Sequence, residues 1–240
     1  MVSIHLKHEG GWRKVSVDGR RILVISDGAG TERNRAVYEE LVSQGYEMDF
    51  VRAGSRSFEY PTDWQHGNPA SCDSHGFPTH DLAGFGHEVG DRLRVRPPSL
   101  IICGSRGSQV TLGVILKHHW RGPFIAMNAG PMTSRTDLPR DCFACFVTFG
   151  KDYFSTKDPT FTNAAFQDLA STEERGILVH LPKEAHMPRA SALSQVLGRI
   201  IKVGQERSTS QEVQSIFWPE QQMTIFELTQ GHAPKILWEW

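Results

Sequence analysis

The chain has 240 residues, 39% of them hydrophobic, with 26 basic against 27 acidic side chains. That length accommodates one large α/β domain, or a domain with a small appendage, and buries enough surface to fold without a disulfide or a metal. A formal net charge of −1 argues against a nucleic-acid partner, and no apolar run reaches the roughly 20 residues of a membrane span.

The first nine residues lack the apolar core of a signal peptide, so the expected address is cytoplasmic. Two short alternating stretches, Ser3 to Leu6 and Trp12 to Val17, flank Glu9-Gly10-Gly11 and predict an opening hairpin. Asp18-Gly19 is a turn. Arg21 to Ser26 is a nearly continuous apolar run, the signature of a strand covered on both faces. Asp27-Gly28-Ala29-Gly30 follows. A helix from Asn34 to Ser43 is stopped by Gly45, and Tyr46 to Arg52 is the next strand. Strand, helix, strand implies a right-handed crossover in a parallel sheet.

Residues 53–80 break this rhythm with serine, proline, glycine, histidine and aromatics in no period. A loop of that length reads either as a flap over a site or as a surface insertion. If it is a flap, Trp64 and Phe77 are its candidate substrate-binding residues. His66, Cys72, His75 and His80 fall in the same stretch, but their spacing matches no zinc-ligand pattern, and no metal is expected.

Helical sequence resumes from Leu82 to Leu93, and Pro97-Pro98 bars its continuation. Leu100 to Cys103 then reads as a short buried strand running into Cys103-Gly104-Ser105-Arg106-Gly107. The pattern small-x-Ser-x-Gly suits a nucleophile elbow. Small residues two before and two after the serine let the backbone fold back tightly, leaving the Ser105 hydroxyl protruding. The helix after it, expected over Gln109 to His119, would present the Arg106 N–H to an oxyanion formed at Ser105.

Further strands are expected at Phe124 to Asn128, Phe143 to Thr148 and Ile177 to Leu181, with a helix around Asn163 to Ser171 between the last two. Cys142-x-x-Cys145 opens the second of these strands, where residues three apart face opposite ways, so packing rather than redox chemistry is expected. A long amphipathic helix from about Ala190 to Lys202 closes the main domain, taken as residues 1–203. Residues 204–214 are linker-like. The alternating tail over 215–240 predicts a terminal hairpin or an arm for a protein partner or dimerisation, within a C-terminal extension of 204–240.

The expected fold is therefore α/β, a mostly parallel central sheet with helices on both faces, a three-layer sandwich with a C-terminal extension. It sets Ser105, Asp152 and His186 at the carboxyl ends of strands, the edge where open α/β sheets bind ligands. Serine at its free pKa is a poor nucleophile and needs a base within reach. His186 would take and return the proton, and Asp152 would fix the imidazole tautomer. The Ala29 N–H, in the loop after the first long strand, is the expected second oxyanion donor beside Arg106. His180 falls inside the last strand and is read as a packed or edge residue. His118 and His119 end a helix, where the dipole alone favours them.

On Asp27-Gly28-Ala29-Gly30, Cys103-Gly104-Ser105-Arg106-Gly107, Gly150-Lys151-Asp152 and Ala185-His186, the chain resembles the α/β-hydrolases. It is most similar to their small, cap-free members, such as dienelactone hydrolase-like enzymes. The resemblance covers about residues 12–203 and implies a cofactor-free serine hydrolase acting on a small-molecule ester or thioester through an acyl-enzyme. Two departures are Cys103, where glycine is usual, and Asp27, where many lipases and esterases carry histidine. Gly104 to Gln109 also resembles the elbow of class I glutamine amidotransferases, which use cysteine and a His-x-Glu partner where this chain has Ser105 and His186-Met187-Pro188. A non-catalytic binding protein on a hydrolase scaffold is the remaining alternative.

Overall fold

Six strands run parallel through the middle of the molecule, and the order in which the chain lays them down creates its working edge. The computed structural model describes residues 1–26, 35–52, 82–127, 139, 142–151, 176–181 and most of 183–201, with the backbone of two strands at 224–228 and 235–238. The elements are β1 (Val2–His8), β2 (Gly11–Val17), β3 (Arg21–Ser26), α1 (Arg35–Ser43), β4 (Glu47–Arg52), α2 (Leu82–Leu93) and β5 (Leu100–Gly104). A helix follows in three pieces, α3 (Arg106–Val110), a π turn (Thr111–Ile115) and α4 (Leu116–His118). Next come β6 (Trp120–Arg121), β7 (Phe124–Met127), β8 (Ala144–Phe149) and β9 (Gly176–Leu181). A helix over 190–201, here α5, precedes β10 (Thr224–Leu228) and β11 (Lys235–Trp238).

The main sheet has eight strands in the order β11-β10-β9-β8-β7-β5-β3-β4. β4, β3, β5, β7, β8 and β9 pair in parallel, while β10 joins β9 antiparallel and β11 joins β10 antiparallel. The central strands are apolar throughout because both of their faces are covered. Ile22, Val24, Leu100, Ile102 and Ile125 share one core with Val37 and Leu41 of α1 and Leu193, Leu197 and Ile200 of α5. Their alternates Leu23, Ile25, Ile101, Cys103 and Ala126 share the other with Phe85, Val89 and Leu93 of α2 and Val110 and Ile115 of the elbow helix. Each fully buried Leu or Ile contributes about 1.5–3 kcal/mol. Helices therefore cover both faces of a mostly parallel sheet, in the three-layer arrangement expected. Cys142 belongs to one core and Cys145 to the other, so the C-x-x-C pair is split across the sheet.

Local sequence fixes the connections. Arg20 donates its main-chain N–H to Asp18 Oδ1 at 3.0 Å, closing the turn before β3. α1 ends where Gly45 takes a φ of 90°. Gly45 N then bonds Val42 O at 2.9 Å and Tyr46 N bonds Leu41 O at 3.1 Å, the paired cap that a left-handed glycine permits.

A smaller antiparallel sheet, β2-β1-β6, begins with the expected hairpin. Val2, Ile4 and Leu6 alternate into the same core as α2, whereas the outward positions stay half-exposed. Trp120 and Arg121 pair with Leu6 and His5, a contact the sequence does not announce. Trp120 is fully buried, and its indole N–H donates to Pro98 O at 3.1 Å. The Arg121 guanidinium lies 3.9 Å over the Trp12 ring. No described helix is long and apolar enough to cross a membrane.

Candidate active site

The chain leaves β3 for β4 on one side of the sheet and then returns to β5 on the other. At such a reversal the connections diverge and leave a crevice at the carboxyl ends of the strands. Ser105 stands there, immediately after β5.

Its backbone has φ 50° and ψ −119°. This is the conformation of the first corner of a type II′ turn, one that glycine normally occupies. Ser105 is the only non-glycine residue with a positive φ among those described. The surroundings hold it in place. Ser105 N–H donates to Met127 O at the end of β7, at 3.0 Å, and Ser105 O accepts Ser108 N–H at 3.1 Å. The helix therefore begins at Arg106, three residues before the sequence expectation of Gln109, because the turn itself takes a single residue. Arg106, its first residue, has no preceding turn to bond with its N–H.

Glycine at 107 answers to a direct contact. A Cβ there would lie 2.0 Å from the carbonyl oxygen of Ile25 on β3. The helix thus crosses β3 at backbone contact. Cys103, the other small position, is fully buried, and its thiol donates to Ile125 O at 3.5 Å. Burial pushes that thiol up to about 11, so it stays protonated at neutral pH and takes no nucleophilic role.

Two other loops meet at the same edge. Gly150 N, just past β8, donates to Leu181 O at 2.9 Å, and Lys151 N donates to Glu184 O at 2.8 Å. The segment leading into Asp152 is thereby bonded to the segment leading into His186. His186 is half-exposed. Asp152, Ala29, Trp64 and Phe77 lie outside the described residues, as do Cys72, His66, His75 and His80 and the helix expected at 163–171. Of Arg106 the structure describes the backbone alone. Position 180 lies inside β9, one residue before its end, paired to Thr148 on one side and Thr224 on the other, so it is not on an edge strand.

Sequence reasoning passed over Glu184 and Arg189. Glu184 is 5% exposed. Its Oε2 accepts Arg189 N–H at 2.8 Å, and its Oε1 accepts Arg189 Nε–H at 2.9 Å and Nη2–H at 2.5 Å. An acid and a base five residues apart match no helical spacing, so only the loop's closure brings them together. The signal available was a carboxylate and a guanidinium bracketing the candidate histidine.

A second group of histidines closes the far end of the elbow helix, about 20 Å from Ser105 by helical rise. His87 Nδ1 lies 2.7 Å from His119 Nε2, and the His87 and His118 rings are 5.4 Å apart. His119 is buried, and burial lowers its pKa from the ordinary value, with Asp91 opposing and the neighbouring cations adding to the effect. No three described His, Cys, Asp or Glu residues could hold a metal ion together.

Comparison with known proteins bears on this arrangement through structure alone. No protein-family model matches the sequence, and no curated protein matches it. Among solved structures, an α/β serine hydrolase without a lid from Xanthomonas campestris superposes with a TM-score of 0.52 at 15% identity, covering 84% of this chain and 93% of its own. The esterase domain of a Rhodothermus marinus protein gives a TM-score of 0.52 at 11% identity, covering 86% and 99%. A ferulic acid esterase from Streptomyces cinnamoneus gives 0.55 at 11% identity, covering 88% and 74%. The fold is that of the α/β-hydrolases. The mostly parallel sheet with helices on both faces agrees with that fold. The likeness to dienelactone hydrolases in particular is not singled out by these matches.

Proposed function

We propose that the chain is a serine hydrolase that cleaves a carboxylic ester or thioester of a small molecule. The observation that carries the reading is the backbone of Ser105. A non-glycine residue held at φ 50° at the crevice of an α/β-hydrolase sheet stores strain, and strain of this kind gathers where function requires a side chain to be aimed. Ser105 Oγ attacks the acyl carbonyl, and His186 takes its proton and passes it to the departing alcohol or thiol. Asp152 holds the imidazole, and the N–H groups of Ala29 and Arg106 bind the oxyanion. Water then releases the acid by the same steps, with His186 again as base. Trp64 and Phe77 supply apolar contact to the acyl chain. The bond from Lys151 N to Glu184 O supports the pairing of acid and histidine loops.

A fluorophosphonate probe tests this directly. The expected result is covalent labelling at Ser105, whereas an amidotransferase-like protein or a silent scaffold stays unlabelled. With a labelled enzyme in hand, kcat/KM for a small ester should climb with pH as the catalytic imidazole loses its proton. His186→Gln should remove most of that activity and His180→Gln little of it. The opposite pattern would assign the base to His180.

A further inference from the structure

The loop that carries His186 is closed by a device that the proposed triad does not use. Only Ala185, His186, Met187 and Pro188 separate Glu184 from Arg189, and the carboxylate of the first accepts three hydrogen bonds from the second. The main chain of Glu184 is committed as well. Its N–H donates to Leu181 O at 3.2 Å, and its carbonyl accepts Lys151 N–H at 2.8 Å. Arg189 in turn accepts Leu193 N–H at 3.0 Å, the first turn of α5. A single buried residue, through its main chain and its carboxylate, thus joins the end of β9, the segment at Lys151 and the start of a core helix.

From this geometry we infer that Glu184 and Arg189 are positioning residues, a clasp that sets the His186 imidazole against the Asp152 loop and toward Ser105. The inference rests on the hydrolase reading above. A loop between a strand and a helix has little to restrict it except its ends, and here both ends are tied to each other. The Glu184 side chain is 6% exposed, so its hydrogen bonds are shielded from water even though Arg189 is 71% exposed. One of the three donors is a main-chain N–H at a helix start, where a carboxylate is further favoured. Burial works to raise the Glu184 pKa, but the hydrogen bonds and charge of Arg189, with Lys151 adding to them, outweigh it and hold the group below its ordinary value. The clasp therefore stays closed down into the acid range.

An ordinary helix cap made by the same atoms would affect melting and nothing else, so the test reads catalysis in folded protein. In Glu184→Gln, kcat should fall 10-fold or more with KM within 2-fold, and the fluorophosphonate labelling rate should fall in step with kcat. In Arg189→Ala the buried carboxylate keeps only the main-chain donor, so its pKa rises. The kcat of this variant should fall at least 3-fold with KM within 2-fold, and its labelling rate should fall with kcat. Arg189→Lys, which keeps the charge but not the fork, should fall between the wild type and Arg189→Ala. If Glu184→Gln does not fold, the exposed position of Arg189 lets its two variants carry the test. Wild-type protein inert to the probe would remove the hydrolase reading and this inference together. A reactive wild type whose variants keep its kcat and labelling rate would overturn the clasp alone.

Discussion

Ser105→Ala is expected to abolish ester turnover, leaving a residual of about 10³ over water, while Ser105→Gly, equally inactive, is expected to melt higher than Ser105→Ala. The two substitutions remove the same hydroxyl but differ at the backbone. Alanine keeps a Cβ at φ 50° and ψ −119°, a sparsely populated conformation that costs about 1–3 kcal/mol. Glycine releases that strain and gives back about 0.5–1 kcal/mol of it through its freer unfolded chain. The net gain, about 1 kcal/mol, corresponds to a rise of roughly 2–4 °C in a chain of this size. Thermal melts of the two purified variants check it. Equal melting temperatures would mean that the positive φ carries no cost, and that the observation behind the proposed function has lost its weight.

Gly107→Ala should have the largest effect on the fold of any single methyl added near the site. The new Cβ would sit 2.0 Å from Ile25 O and 2.6 Å from Ile25 C. Both are backbone atoms of a central strand, so no rotamer change relieves the clash, and the helix has to leave β3. A loss of about 3 kcal/mol or more is expected, read as reduced soluble yield and a lowered denaturation midpoint. Gly104→Ala is the control. Its Cβ would meet nothing closer than 3.8 Å, so the fold should be kept. Equal tolerance at the two positions would show that the helix does not depend on backbone contact with β3.

These two glycines also mark how far the sequence could be read. Ile22 to Ile25 and Leu100 to Cys103 announce themselves as strands because burial on both faces leaves no polar positions to blur the pattern. The elbow is legible because its tightness demands small residues at 103 and 107. The start of the elbow helix is not legible, since Gly107 and Ser108 are poor helix formers and tertiary contact with β3 decides the matter. The π turn escapes for a related reason. Thr111 Oγ1 donates to Gly107 O at 2.8 Å, competing for a carbonyl that the regular helix would use, and Leu116 N–H reaches back five residues to Thr111 O. Pairing of Trp120 and Arg121 with β1 joins residues more than a hundred apart through a strand of two, too short for any period to appear. Ser105 and His186 are proposed from motif and order. Glu184 was not, because its partner is set by the shape of a loop and not by spacing along an element.

The antiparallel strand β10 has a consequence for how the molecule behaves in company. β9 reads Gly-Ile-Leu-Val-His-Leu, and β10 occupies its outer side along five paired positions from Thr224 to Leu228. A chain ending before Thr224 would present that side as a row of unused amide and carbonyl groups on an apolar ribbon, which is a template for a second chain. Sedimentation of such a shortened protein should show self-association that deepens with concentration and that the full chain lacks. The last strands of the sequence would then serve as the molecule's guard against its own copies.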